Sequence, residues 1–355
     1  MKTSMGENMK KIVWFFLCFC LVLPLMVSCG AKKEKLGYLL DGGAETHPGT
    51  VLTLQGKEIS FEEFRYFYLK LRDSHLESDP EYFDSEEKES LLKEEALKLL
   101  LNKRAAECWI EEEGVSLSSE EKDQIDEDTD HAVEIYGGSE SFLAMIHDSY
   151  MSLDYYNEMM TFTALRTKLM DHLYGEGGKM AWDDERFYDY YRENYLAVQV
   201  IKLAYRAGET AENYPETLAE MAAIEERAKN GEDFWALIEE CGEDDNMEAY
   251  PDGYYVTEGE AEEALYQAAK ALGINEISEP VAGAGGLYLL RRVELKESRM
   301  DQNRAAALQG YTDSAGAYHA GAYDDEFEAL LLERAAKLSV SYGKTWDLIS
   351  TKTVF

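Results

Sequence analysis

The sequence predicts an α+β fold in which a long helical run gives way, late in the chain, to a compact segment of mixed strands and helices. Three observations predict it. Apolar residues keep 3.6-residue spacing between about residue 61 and Tyr195, as in Leu91, Leu92, Ala96, Leu99 and Leu100. At Leu196 the pattern switches to the alternation of a strand, in "LAVQVIKLAYRA", with Val198, Val200 and Leu203 prominent. Helical spacing returns in "DDEFEALLLERAAKL" near the end.

A length of 355 residues favours two domains plus tails over one core. The 71 acidic residues outnumber the 35 basic ones, for a net charge of −36. Nucleic-acid binding is excluded by that balance, because neutralising phosphates needs clustered Lys and Arg. An anionic lipid surface would repel the chain, so attachment to a membrane has to be covalent or spanning. The charge itself reads as a solubility device.

Lys10 and Lys11 precede the apolar run "IVWFFLCFCLVLPLMV", which Pro24 interrupts and which falls short of the ~20 residues of a spanning helix. The run ends in "LMVSCG", small residues before Cys29. A basic n-region, an apolar h-region and a small-residue cleavage site make a secretory signal over 1–28. With Cys immediately after the cut, it resembles a bacterial lipoprotein signal, which implies lipid on Cys29. Met26 stands where Leu is more usual, and an uncleaved signal anchor is the alternative. Cys18 and Cys20 leave with the signal and Cys29 takes lipid, so only Cys108 and Cys241 remain; they lie in what read as different domains, and no disulfide framework is indicated. Each reads as a small buried apolar residue.

Residues 29–48 are Gly- and Lys-containing without periodicity and read as a tether. The helical region takes 49–195. It opens with a short strand, a turn at Gly56 and a helix start, where Ser60 and Glu63 form a capping box and Ile59 and Phe64 a hydrophobic staple. Ser118 and Glu121 offer a second box. Gly137–Gly138 and Gly175–Gly178 punctuate the run, the latter after a Met/Tyr-rich helix from about Ser152 to Tyr174. Residues 196–296 read β-α-α-β-α-β: the strand above, a helix opened by Pro215, a short helix in "EDFWALIEEC", the strand "GYYV", a helix over 262–272 and a last strand. Residues 297–355 are Ala- and Gly-rich before the final helix, and no internal repeat is present.

The mixed segment resembles a parvulin-type peptidyl-prolyl isomerase domain. "VTEGEAEEALYQAA" has the length and the Gly259 of the family's F-x-x-G-x-M-x-x-x-F-E-x-A stretch. "ALGINEISEPVAGAGGLYLLRR" follows L-x-x-G-E-x-S-x-P-V-x-T-x-x-G-x-H-I-I-x-R, keeping Glu276, Ser278, Pro280, Val281 and Gly286. "NGEDFWALIEECGEDD" is similar to G-x-D-F-x-x-L-A-x-x-x-S-x-D. Upstream, "LQGKEISFEEFRYFY" and "WDDERFYDYYRENY" resemble the helical domain of PrsA- and SurA-type extracytoplasmic foldases. That likeness implies a discontinuous helical chaperone domain, built of N-terminal helices and a returning C-terminal helix, carrying an inserted parvulin-like domain.

The resemblance also implies where an isomerase pocket should lie. The two family histidines fall on Ile201 and Tyr288, the pocket Met on Ala261, the pocket Phe on Leu265, the turn Leu on Asp252, and the acidic or thiol member near Glu243 or Asp244. No histidine occurs in 196–296; the six are His47, His75, His131, His147, His172 and His319. Tyr288 therefore reads as a packed strand aromatic, and no residue is assigned as catalytic. The acidic triplets at 183–185 and 243–245 do not match a calcium loop, Asp183 reads as a helix N-cap, and neither metal nor cofactor is implied. The Tyr/Phe/Met set of the helical region is mostly core, with Tyr66, Tyr155, Met159 and Met160 singled out to line a cleft for unfolded chains.

The expectation is a membrane-anchored foldase for secreted polypeptides, on the extracytoplasmic face, with a weak or inactive isomerase domain. The alternatives are a working isomerase with a rebuilt pocket, using Tyr288 and an acid near Asp244, and a lipoprotein that binds one envelope partner.

Overall fold

The computed structural model describes residues 37–355; the signal 1–28, Cys29 and the first part of the tether lie outside them. A hairpin of β1 (Leu39–Asp41) and β2 (Ala44–Thr46) comes first, then a second of β3 (Thr50–Leu54) and β4 (Lys57–Ser60). Gln55 and Gly56, both with positive φ, make the tight turn of the second hairpin. Helices follow: α1 (Phe61–Ser78), α2 (Glu86–Glu113), α3 (Ser119–Ile135), α4 (Ser139–Asp148), α5 (Leu153–Tyr174) and α6 (Asp184–Asn194).

Ser118 completes its capping box with Glu121, Ser152 caps α5 and Asp183 caps α6. At Ser60 only half the expected box forms. The Ser60 hydroxyl accepts from the Glu63 amide at 3.0 Å, but the Glu63 carboxylate is buried and turns to Lys103. A buried carboxylate gains more from an ammonium than from one backbone amide.

The mixed unit runs β5 (Tyr195–Leu203), α7 (Pro215–Lys229), α8 (Phe234–Cys241), β6 (Tyr254–Thr257), α9 (Glu263–Ala271), β7 (Val281–Gly283) and β8 (Gly286–Val293). The strands form an antiparallel sheet in the order β6-β5-β8-β7. The expected order holds, with β7 as an additional edge strand. Helices α7 and α8 pack on β8 and β5, whereas α9 packs on β7, β8 and β5. The β7–β8 hairpin needs Gly286, whose φ of 151° is open to few other residues and where a Cβ would collide with the Leu203 carbonyl oxygen.

The chain then returns to the helical layer through α10 (Glu297–Gln309), a two-residue hairpin of β9 (Tyr311–Thr312) and β10 (Tyr318–His319), α11 (Ala322–Ala335) and β11 (Val340–Tyr342). Helix α11 packs on α2, with Trp109 stacked on Phe327 at 5.1 Å, and β11 pairs with β3. The Ala-rich stretch after Glu297, described in the sequence by composition alone, is helical because Met300, Ala307 and Leu308 bury against α6 and α11.

Residues 39–46, read as part of a tether, are also ordered into the body. The Tyr38 amide donates to the Phe355 carbonyl and the Leu40 amide to that of Thr353, while Leu39 is fully buried. The partners lie some 300 residues away in sequence, so no local pattern carries that pairing. Cys108 and Cys241 are free and only partly buried.

Candidate functional site

Two places gather side chains of chemical interest. The first is one face of the sheet. Side chains alternate along a strand, so residues paired across β5 and β8 share a face. Lys202 pairs with Tyr288, Val200 with Leu290 and Val198 with both Arg292 and Tyr254. Ile201 pairs with Leu289 and is fully buried in the core of the sheet unit. Ile201 thus lies on the face opposite Tyr288, because side chains alternate along the strand. Lys202 is the residue directly across from Tyr288.

Tyr288 is partly buried. Lys202 Nζ lies 5.9 Å from its ring centre. Gly285 faces both groups: a Cβ there would come within 2.9 Å of the Tyr288 hydroxyl and 3.3 Å of Lys202 Nζ. A Cβ on Gly283 would likewise approach the Glu262 carboxylate at 2.8 Å, and Glu262 accepts from the Ala284 amide at 2.8 Å. Asp244 accepts from the Tyr254 hydroxyl at 2.9 Å. Burial pushes the Tyr288 phenol up, and the Glu262 and Asp244 carboxylates add to it. The hydroxyl therefore stays a donor at neutral pH. Ala261 and Leu265 are partly buried around the start of α9, and Asp252 lies just after a single 3-10 turn at 247–249, paired with Lys296. Small or short side chains stand where the resemblance called for a Met and a Phe. Asp183, in the other acidic triplet, only caps α6.

The second place is a groove of about 260 Å³ in the helical layer, walled by α1, α2, α5 and α11. Of the four residues singled out, Tyr66, Met159 and Met160 line it and Tyr155 does not. Tyr155 is buried one layer behind, edge-on to Tyr66 at 5.5 Å, so its ring supports the wall. Phe67, Met151, Tyr156 and Phe162 complete an apolar lining.

Charges edge that lining. Lys103 is 5 % exposed and bonds Glu63 at 2.9 Å, Glu107 at 2.7 Å and Glu158 at 3.2 Å. Burial alone would lower its pKa, but Glu63 and Glu107 outweigh it and hold the ammonium charged. Glu63 itself is pushed up by burial. Further along, Arg166 of α5 pairs with Glu328 of α11. Sequence reasoning missed Lys103, Arg166 and Glu328, since each reads as an ordinary charge on an amphipathic helix and only the packing of three helices brings them together.

No family model matches the chain, and no curated protein does. Among solved structures, the chain is similar to foldases, chaperones and parvulins. PrsA of Bacillus cereus, a peptidylprolyl isomerase, is 15% identical, with 82% of this chain and 86% of that one covered and a TM-score of 0.32. A SurA-like chaperone of Campylobacter jejuni is 10% identical, covering 83% and 100%, with a TM-score of 0.30. The parvulin of Nitrosopumilus maritimus is 24% identical over 28% of this chain and 97% of its own, with a TM-score of 0.23.

Proposed function

We propose that this protein is an extracytoplasmic foldase, held at the membrane by lipid on Cys29, whose groove shields apolar stretches of newly translocated chains. The observation that carries this reading is the groove, lined by Met159, Met160, Met151 and a set of aromatic rings between α5 and its neighbours. Thioether side chains are unbranched and polarisable, so such a surface repacks around varied apolar segments. Tethering at a translocation exit would raise the local concentration of clients. In this reading the sheet unit is a spacer or a second contact surface, with weak or no isomerase activity.

The test is suppression of aggregation of a denatured secreted protein by a soluble form beginning after Cys29. Met160→Asp should cut suppression several-fold while leaving the melting temperature close to wild type. Equal suppression by the two would sink the groove. For the anchor, mass spectrometry of the membrane fraction should find lipid on Cys29, and Cys29→Ser should remove it.

A second reading is supported by the convergence of Lys202, Tyr288, Glu262 and the glycine turn on one sheet face. A donor aimed at a prolyl nitrogen weakens amide conjugation, the origin of the ~20 kcal/mol barrier to isomerisation. This would make the unit a working isomerase with a rebuilt pocket.

A further inference from the structure

The groove does not end at its apolar part. A second depression of about 500 Å³ follows along the same two helices, and Arg166 lines both. Helix α5 contributes Met159, Met160 and Thr163 to the first part and Thr167, Met170 and Asp171 to the second. Helix α11 contributes Glu328 to the first and Asp324, one turn earlier, to the second. From Met159 to Tyr174 the cleft follows α5 for roughly 22 Å at 1.5 Å per residue. An extended chain covers that length in about six or seven residues.

The two parts differ in chemistry. The first is apolar, and its cations are answered: Lys103 by Glu63, Glu107 and Glu158, Arg166 by Glu328. In the second, Asp324 accepts only from neutral donors, the Tyr318 hydroxyl at 2.7 Å and the Gly321 amide at 3.0 Å. Asp171 is exposed at the rim, and neither carboxylate forms an ion pair among the described residues. The second part, where Asp171 and Asp324 stand with Arg166, itself already paired to Glu328, therefore has a net negative lining, within a chain of net charge −36.

We propose that the occupant of this cleft is an extended polypeptide segment with apolar side chains for the methionine end and a Lys or Arg side chain for the Asp171–Asp324 end. Met160 and Asp171 are eleven residues apart on α5, or roughly 16 Å of helix rise. The basic side chain thus lies about five extended residues from the apolar anchor. The assignment rests on the groove being the client site.

Fluorescence anisotropy would test it, using the soluble form beginning after Cys29 and three labelled nonapeptides. Each carries an apolar pair and, about five residues away, Lys, Gln or Glu. The Lys peptide should bind about ten-fold tighter than the Glu peptide at low salt, with Gln between, and the spread should shrink in high salt as screening shortens the charge interaction. Asp171→Asn should weaken the Lys peptide several-fold and leave the Gln peptide unchanged. Equal binding of all three would overturn the charge preference and leave the groove reading standing. Discrimination that survives Asp171→Asn intact would assign it to the acidity of the whole surface and overturn the assignment. Failure of all three to bind would remove both this inference and the groove reading.

Discussion

Lys202 stands directly across from Tyr288 in the antiparallel pair of β5 and β8, with its ammonium 5.9 Å from the tyrosine ring centre. A cation and a phenol thus share this sheet face, with no imidazole on the paired strands. Burial raises the Tyr288 phenol, so it does not titrate in the neutral range as a histidine does.

That pairing leads to a prediction for prolyl isomerisation. In a protease-coupled assay with an Xaa-Pro peptide panel, the soluble protein should leave the uncatalysed time of ~10–100 s nearly unchanged. Tyr288→Phe should make no further difference. Clear acceleration that disappears in Tyr288→Phe would reverse the preference and favour the working isomerase.

Lys103 is the cation of a buried cluster with Glu63 and Glu107. Lys103→Met should lower stability by about 3–5 kcal/mol, since it leaves carboxylates buried without their partner. Chemical denaturation reads this directly. Glu63→Gln combined with Lys103→Met should recover part of the loss, and a double variant no better than the single one would count against the cluster.

The acid limb of stability follows from Glu107. Burial works to raise its pKa, but Lys103 and Lys57 outweigh it, and the folded value lies below the ordinary one. A depressed carboxylate contributes stability above its unfolded pKa of about 4.3, and that contribution is lost as pH falls through the folded value. Glu63, shifted the other way by burial, takes up its proton at higher pH and offsets part of the loss. Melting temperatures should therefore fall below about pH 4, less steeply in Glu107→Gln than in wild type. Parallel curves would refute the assignment.

Gly286→Ala should destabilise the sheet unit by roughly 1–3 kcal/mol, given its positive φ and the Leu203 carbonyl that a Cβ would meet. Hydrogen exchange should locate the loss in β7 and β8.

Removing the last three residues takes away the Phe355 ring, stacked on Tyr38 at 5.2 Å, and the acceptors for the Tyr38 and Leu40 amides. Exchange at those amides should rise at least ten-fold while α5 stays protected. Unchanged protection would mean that the N-terminal hairpin holds itself in place.

Much of the fold was legible locally. Ser152, Asp183 and Pro215 mark helix starts by their own chemistry, and the period-two pattern of Val198 and Val200 marks β5. The pocket alignment was less legible. Aligning "IKLA" with the family strand singled out Ile201, whereas only the pairing with β8 shows that Lys202 is the residue facing Tyr288. Residue type singled out Tyr66, Tyr155, Met159 and Met160 alike, whereas only the packing shows that Tyr155 lies buried while the other three line the groove.

The sequence by itself determined the α+β class, the order of elements in the sheet unit, the absence of histidine from it and the acidity of the whole chain. These follow from composition and from periodicities that act over a few residues. Tertiary structure alone decided that Leu39 packs beside Val354, that α10 is a helix, and that Lys103, Arg166 and Glu328 meet at one groove. Each of those depends on burial against a partner tens to hundreds of residues away. The free energy of such contacts belongs to the pair, so neither segment carries it in its own pattern.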